Sequence, residues 1–223
     1  MQSARHTVTL TILLTLLTAA SVAQTWDATK DFGPSNPNGV WSYGDGITGT
    51  SFTLYSFYYI DCGDLWGVKG IVCWTTQTHD VPFVSFNTTG DWLSFWGIVI
   101  PPDVLFLHPG PDDGQDTIVQ WTAPVAGTYY IHGFFEILDS HPTGIVGLVF
   151  RNGTPLFRGE LLGPPAQPPD KVGGREDFYF AKLSLKAGDV ISFGVNKDDD
   201  YHYDSTGFNA TITTAAPCAV CSP

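Results

Sequence analysis

Three stretches of this chain hold side chains whose types and spacing could do chemistry. The first is TYYIHGFFEI, residues 128–137. Strand alternation puts Tyr130, His132, Phe134 and Glu136 on one face and Tyr129, Ile131, Phe135 and Ile137 on the other. The second set is a core face. The first set mixes rings, an imidazole and a carboxyl. Rings can lie against the C–H groups of a pyranose while the polar groups bond its hydroxyls, so this face is a candidate ligand-binding surface. A half-exposed strand with no ligand has the same pattern. Glu136 is also the best candidate acid for glycoside cleavage, but that reaction needs two carboxyl groups flanking the bond. No second one stands out, so a glycoside hydrolase or polysaccharide lyase trails a binding role.

The second stretch is NKDDDYHYDSTG, residues 196–207. Asp198, Asp199, Asp200 and Asp204 offer the hard oxygen atoms that calcium takes in sets of about six to eight. The EF-hand spacing is missing, so a site here would need donors from elsewhere. Asp27, Asp31 or Asn36 could supply them if the two ends of the domain meet. The alternative is a solvated hairpin loop in which Asp204 caps a turn through Ser205 and Thr206.

The third is His108, in LHPGPDDGQDT, residues 107–117. A catalytic role would call for a nucleophile elbow or a partner histidine at ligand spacing. The chain has no G-x-S-x-G, and its six histidines form no H-x-H or H-E-x-x-H. His108 is therefore expected to end a strand. Pro109 would stop the ladder, Gly110 and Gly114 would shape the loop, and Trp121 would face the core.

The elements that position these residues read as strands. There are 24 glycines and 16 prolines, and after the first residues no long apolar stretch of helical period. Short runs rich in β-branched and aromatic residues recur instead, at Phe52–Ile60, Leu93–Ile100, Thr117–Trp121, Thr128–Ile137, Ile145–Arg151, Pro155–Leu161, Phe178–Leu185, Val190–Asn196 and Phe208–Thr213. Asn152-Gly153 between two runs is a type I′ hairpin signal, and Gly127 and Gly188 mark two further turns. The expectation is an all-β, two-sheet antiparallel sandwich, with Ile191, Phe193 and Val195 joining Tyr129 and its partners in the core. Residues 60–92 read as irregular, a cysteine-bearing insertion. Residues 163–177 read as a loop between strands.

Arg5, the apolar run that follows it and the small residues ending at Ala23 form a signal for export. Cleavage there leaves residues 24–223, a domain of about 24–215 and a tail of 216–223, with no later span able to cross a membrane. The 10 basic and 22 acidic residues give a net charge of −12, which disfavours nucleic acid and anionic membranes as partners. Four cysteines in an exported chain point to disulfides. Three pairings are open, with Cys62–Cys73 and Cys218–Cys221 preferred. The last two lie in a proline-bounded tail, which argues against redox chemistry.

The segments NPNGVWSYG (36–44), FTLY (52–55), PPDVLFLHPGPDDGQDTIVQWTAPVAGTY (101–129), NGTPLF (152–157), LKAGDVISFGV (185–195) and YDSTGFNATI (203–212) occur in this order. Together they resemble a group of secreted bacterial β-sandwich proteins, many of which carry a PEP-CTERM sorting tail. The likeness implies a jelly-roll-like sandwich similar to carbohydrate-binding modules, and no established catalytic activity. The Pro-Glu-Pro, apolar helix and basic end of such a tail are missing here, which favours release. Two classes of function follow. One is a non-catalytic exported sandwich that binds polysaccharide or sits in the extracellular matrix or envelope. The other is a structural, self-associating surface protein that uses the aromatic surplus of DWLSFWGIVI and SFYYI as an interface.

Overall fold

A computed structural model of the chain describes residues 23–76 and 80–214. All but the last residue of the 1–23 export-signal reading, and the Cys218–Cys221 pair, fall outside those residues. The strands are β1 (Thr25–Asp27), β2 (Trp41–Gly46), β3 (Thr53–Leu54), β4 (Phe57–Tyr59), β5 (Ile71–Thr75), β6 (Phe83–Asn87), β7 (Leu93–Phe95), β8 (Ile98–Ile100), β9 (Leu105–His108), β10 (Asp116–Thr122), β11 (Gly127–Ile137), β12 (Ile145–Arg151), β13 (Thr154–Leu161), β14 (Arg175–Leu185), β15 (Val190–Asn196) and β16 (Thr206–Thr213). Apart from the β7–β8 hairpin, which is a two-stranded sheet of its own, they form two antiparallel sheets packed as a sandwich. The long sheet runs β14-β11-β16-β9-β6-β5-β4, with β1 also paired to β16; the short sheet runs β13-β12-β15-β10-β2-β3. From β10 onward the chain passes repeatedly between the sheets, as in a jelly roll. Among the described residues, no helix is long and apolar enough to cross a membrane.

The alternation read from β11 holds. Tyr129, Ile131, Phe135 and Ile137 are fully buried and meet Ile191, Phe193 and Val195 of β15 between the sheets, together with Trp41 and Trp121. Asn152 and Gly153, both at positive φ, turn β12 into β13. Asp116 locks one end of the short sheet. Its carboxylate accepts from the Thr48 amide (2.9 Å), the Thr48 hydroxyl (2.7 Å) and Asn196 Nδ2 (2.7 Å), tying three separate segments.

Three expectations are corrected. Phe52–Ile60 is not one strand. Tyr55 is buried at the corner, and the chain leaves the short sheet after β3 and enters the long one at β4. Alternation suits either arrangement, and packing of Tyr55 decides it. Leu93–Ile100 is a hairpin, because Trp96 (φ 48°) and Gly97 (φ 89°) reverse the chain between β7 and β8. A left-handed tryptophan carries no local signal. Residues 60–92 are not irregular, since β5 and β6 lie in the long sheet between β4 and β9.

These last segments build a cover. Ile71, Cys73, Phe83 and Phe106 point away from the main core and form a second one with Cys62, Ile100 and Leu138. The Cys62–Cys73 disulfide is formed, with Cα atoms 5.9 Å apart, and pins the turn before β5 onto this layer.

Candidate functional site

The outer face of the long sheet is thus half covered and half open. The outward side chains of β11 mark the boundary. His132 is exposed, Tyr130 and Phe134 are half-buried, and Glu136 is buried, with 4 % of its surface accessible. The β7–β8 hairpin closes the covered half, with the Val99 amide donating to Leu138 O (2.8 Å) and the Ser140 amide to Gly97 O (3.0 Å).

On the open half, strand register lines side chains up in rows. Tyr179, His132 and Thr211 stand opposite one another across β14, β11 and β16. Asp177, Phe134 and Asn209 form the next row, and Arg175, Glu136 and Gly207 the next. The first two rows and Arg175 line a groove of about 370 Å³. A second hollow of about 450 Å³ shares Asn209 and continues past Asp27, Lys30, Phe86 and Asp103. The track crosses three strand gaps from β14 to β1, about 14 Å.

Arg175 organises the floor. Its guanidinium carbon sits 3.5 Å from the centroid of the Phe134 ring, Nη2 is 2.8 Å from Asp177 Oδ1, and Nη1 is 3.9 Å from Glu136 Oε2. A cation over a ring face is attracted to it and stays flat there. Burial pushes the Glu136 carboxyl up to about 7; Arg175 opposes this, and Asp103 and Asp177 add to it. Gly207 makes room, because a Cβ there would lie 2.8 Å from Glu136 Cγ. Phe134 is therefore occupied by Arg175, and the accessible ring of the groove is Tyr179, which is 56 % exposed.

No protein-family model and no curated protein matches this chain. Among solved structures, it is similar to the Agl-KA catalytic domain (17 % identity, TM-score 0.33, 54 % of this chain and 23 % of that one). It is similar to a family 35 carbohydrate binding module from Clostridium thermocellum (11 %, TM-score 0.31, 72 % and 100 %). It is also similar to the Eiger TNF of S. frugiperda (17 %, TM-score 0.28, 52 % and 73 %). The chain spans about a quarter of the catalytic domain's length. At these scores the chemistry of the site must come from the chain's own side chains.

The residues singled out on β11 divide. His132 and Phe134 line the groove, Glu136 lies buried beyond its end beneath Arg175, and Tyr130 stands outside it, opposite Thr213. Tyr179, Asp177, Asn209 and Thr211 were missed. Their alternation is legible in REDFYFAKLSL and TGFNATIT, but their place beside β11 depends on pairings remote in sequence. A second cavity, about 210 Å³, was also missed. It opens beside the β7–β8 hairpin, walled by Trp66, Phe83, Phe95, Trp96 and Phe106, with His108, Asp139 and Ser205 at its polar side. The Trp66 and Phe95 rings stack, centroids 5.7 Å apart. His108 does end a strand, β9. Burial pushes its imidazole down to about 4, so it is neutral at pH 7. Nδ1 lies 2.8 Å from Pro109 O and carries the proton, leaving Nε2 as an acceptor.

The acidic run does not gather its carboxylates. Among the described residues no three His, Cys, Asp or Glu side chains converge as a metal group. Asp198 and Asp199 lie on the exposed loop, and Asp200 pairs with His202 (2.6 Å). Asp204 turns inward and is fully buried, while the Thr206 hydroxyl bonds its main-chain oxygen. Asp27, Asp31 and Asn36 are engaged elsewhere. Asp27 stands opposite Thr211, five residues along β16 from the loop; Asp31 accepts from Trp41 Nε1; Asn36 clamps Tyr43 to Tyr55.

Proposed function

We propose that this chain is an exported β-sandwich that binds polysaccharide on the open half of its long sheet. One observation carries the reading: Tyr179, His132 and Thr211 in one row and Asp177 and Asn209 in the next, with Arg175 beside them, line a groove whose far side continues past Asn209. Planar polar groups beside one accessible ring suit a ligand with many hydroxyls and an apolar C–H face. A disulfide among the described residues fits an oxidising compartment. Binding is favoured over bond cleavage because the Glu136 side chain is 6 % exposed and lies under Arg175, out of reach of a glycosidic oxygen in the groove.

Affinity electrophoresis of the oxidised protein through gels containing a panel of soluble polysaccharides tests this. At least one polysaccharide should retard it. Tyr179→Ala and Asn209→Ala should each weaken that retardation about tenfold, as expected for a contact worth about 1.4 kcal/mol. Retardation by none, or retardation indifferent to both variants, sinks the proposal.

A second reading has its own observation. Among the described residues strand β4 ends the long sheet, with Phe57 on it and Leu54 and Ile60 close by exposed. A sheet edge with apolar flanks is a template for pairing with another chain. Self-association through it predicts a concentration-dependent assembly in size-exclusion chromatography that Ile60→Lys disperses; a monomer at all concentrations discards it.

A further inference from the structure

The loop after β15 and the start of β12 bring five oxygen atoms from four residues together. Thr143 Oγ1 lies 2.9 Å from Asp200 O, 2.5 Å from His202 O and 2.9 Å from Asp204 Oδ1. All three neighbours are acceptors, and a hydroxyl has one proton to give. With the Asp204 carboxyl ionised, two of the three contacts therefore hold oxygen against oxygen with no hydrogen between them. The fifth atom is Asp204 Oδ2, on a residue with none of its surface exposed, and it has no hydrogen-bond partner. The Gly144 amide approaches this carboxylate, but no cationic side chain pairs with it among the described residues.

A buried, half-unpartnered carboxylate is costly unless a positive charge meets it. A proton would not resolve the arrangement. Placed on Oδ1 it could reach Thr143, which could then serve one carbonyl and leave the other; placed on Oδ2 it would have no acceptor. A cation resolves every contact at once, because it accepts lone pairs from all five atoms. The donors are all hard oxygens, with no nitrogen or sulfur, which selects calcium over zinc or copper.

We infer that Asp204, Thr143 and the main-chain oxygens of Asp200 and His202 form a calcium site that joins the 197–205 loop to the start of β12. The carboxylates of Asp198, Asp199 and Asp200 are not among its ligands. A single ligand carboxylate places the affinity in the weak range of extracellular modules, about 0.1–1 mM. The site lies beyond the β15 end of the sandwich and does not depend on the sugar-binding reading.

The test uses the oxidised protein after chelation, titrated with calcium in a calorimeter and with terbium in a fluorimeter, where Tyr201 and Tyr203 in the same loop act as antennae. One saturable calcium site and tyrosine-sensitised terbium emission displaced by calcium are expected. Asp204→Asn should weaken both at least about tenfold, and Thr143→Val should weaken them too, while Asp199→Asn should not. No calcium binding by the unaltered protein up to about 10 mM, well above the weak range, overturns the inference whatever the variants do. So does binding that survives both Asp204→Asn and Thr143→Val, which would put the ion elsewhere.

Discussion

Replacing Glu136 by Gln should stabilise the protein at neutral and alkaline pH and do little in acid. The carboxyl is buried, and its folded value of about 7 lies above the ordinary value of 4.5. Between those two values the folded state binds more protons than the unfolded state, so stability falls as pH rises through the window. Ionisation of the buried group is fully charged to the folded state above pH 7. A separation of about 2.5 units at 1.36 kcal/mol each gives roughly 3 kcal/mol. Arg175 already lowers the folded value, and being 45 % exposed it is screened by solvent, so its loss of a partner adds little. The assay is urea unfolding of wild type and Glu136→Gln from pH 4 to pH 8, with chelator present. The difference between them should be near zero at pH 4, grow from about pH 4.5, and level above pH 7 with the variant more stable. Asp139 and Asp204, raised by burial, and His108, lowered by it, titrate in both proteins and cancel in the difference. A difference independent of pH, or one favouring wild type at pH 8, would refute the reasoning.

Asp116→Ala should cost about 2–4 kcal/mol in the same unfolding assay, because it leaves the Thr48 amide and hydroxyl and Asn196 without their acceptor in a buried corner. A loss under 1 kcal/mol would mean water replaces the carboxylate. Tyr179→Ala, by contrast, should leave the urea midpoint nearly unchanged, since the ring is more exposed than buried; a large loss would make any fall in polysaccharide binding a stability effect.

The main core was legible in the sequence because it is written in strand alternation. β11 and β15 alone place seven inward side chains correctly. Asn152-Gly153 gave one turn by its chemistry. What alternation cannot say is which strands are neighbours. Tyr179 and Asn209 flank the two singled-out groove residues of β11, yet they sit 47 and 77 positions from His132 and come together only through pairings closed by the whole fold. Nor can it say that an outward face will be covered. Glu136 follows the same alternation as His132, yet Glu136 lies buried beneath Arg175 in the room that Gly207 leaves, while His132 is exposed. The acidic run shows the same limit: the sequence offers four carboxylates or a capped turn, and only the fold turns Asp204 inward with the main-chain oxygens of Asp200 and His202 beside it.

The cover over the long sheet leads to a final prediction. Ile71, Cys73, Phe83 and Phe106 put apolar side chains on the outward side of β5, β6 and β9, whereas the outward side chains of β14, β11 and β16 are mostly polar. The first set needs a layer over it and the second does not, so one sheet carries a second core and an open groove side by side. The Cys62–Cys73 bond lies in the covering layer, with Cys73 on β5 and Cys62 in the turn before it, a loop of separation 11. Closing such a loop restricts the unfolded chain by about 3 kcal/mol. Reduction should therefore lower stability by about that much. It should leave polysaccharide retardation unchanged at temperatures where the protein stays folded, because the groove is built on strands at the other side of the sheet. Loss of retardation in a reduced protein that keeps its near-ultraviolet aromatic signal would show that the groove leans on the cover, and that the two halves of the face are one unit.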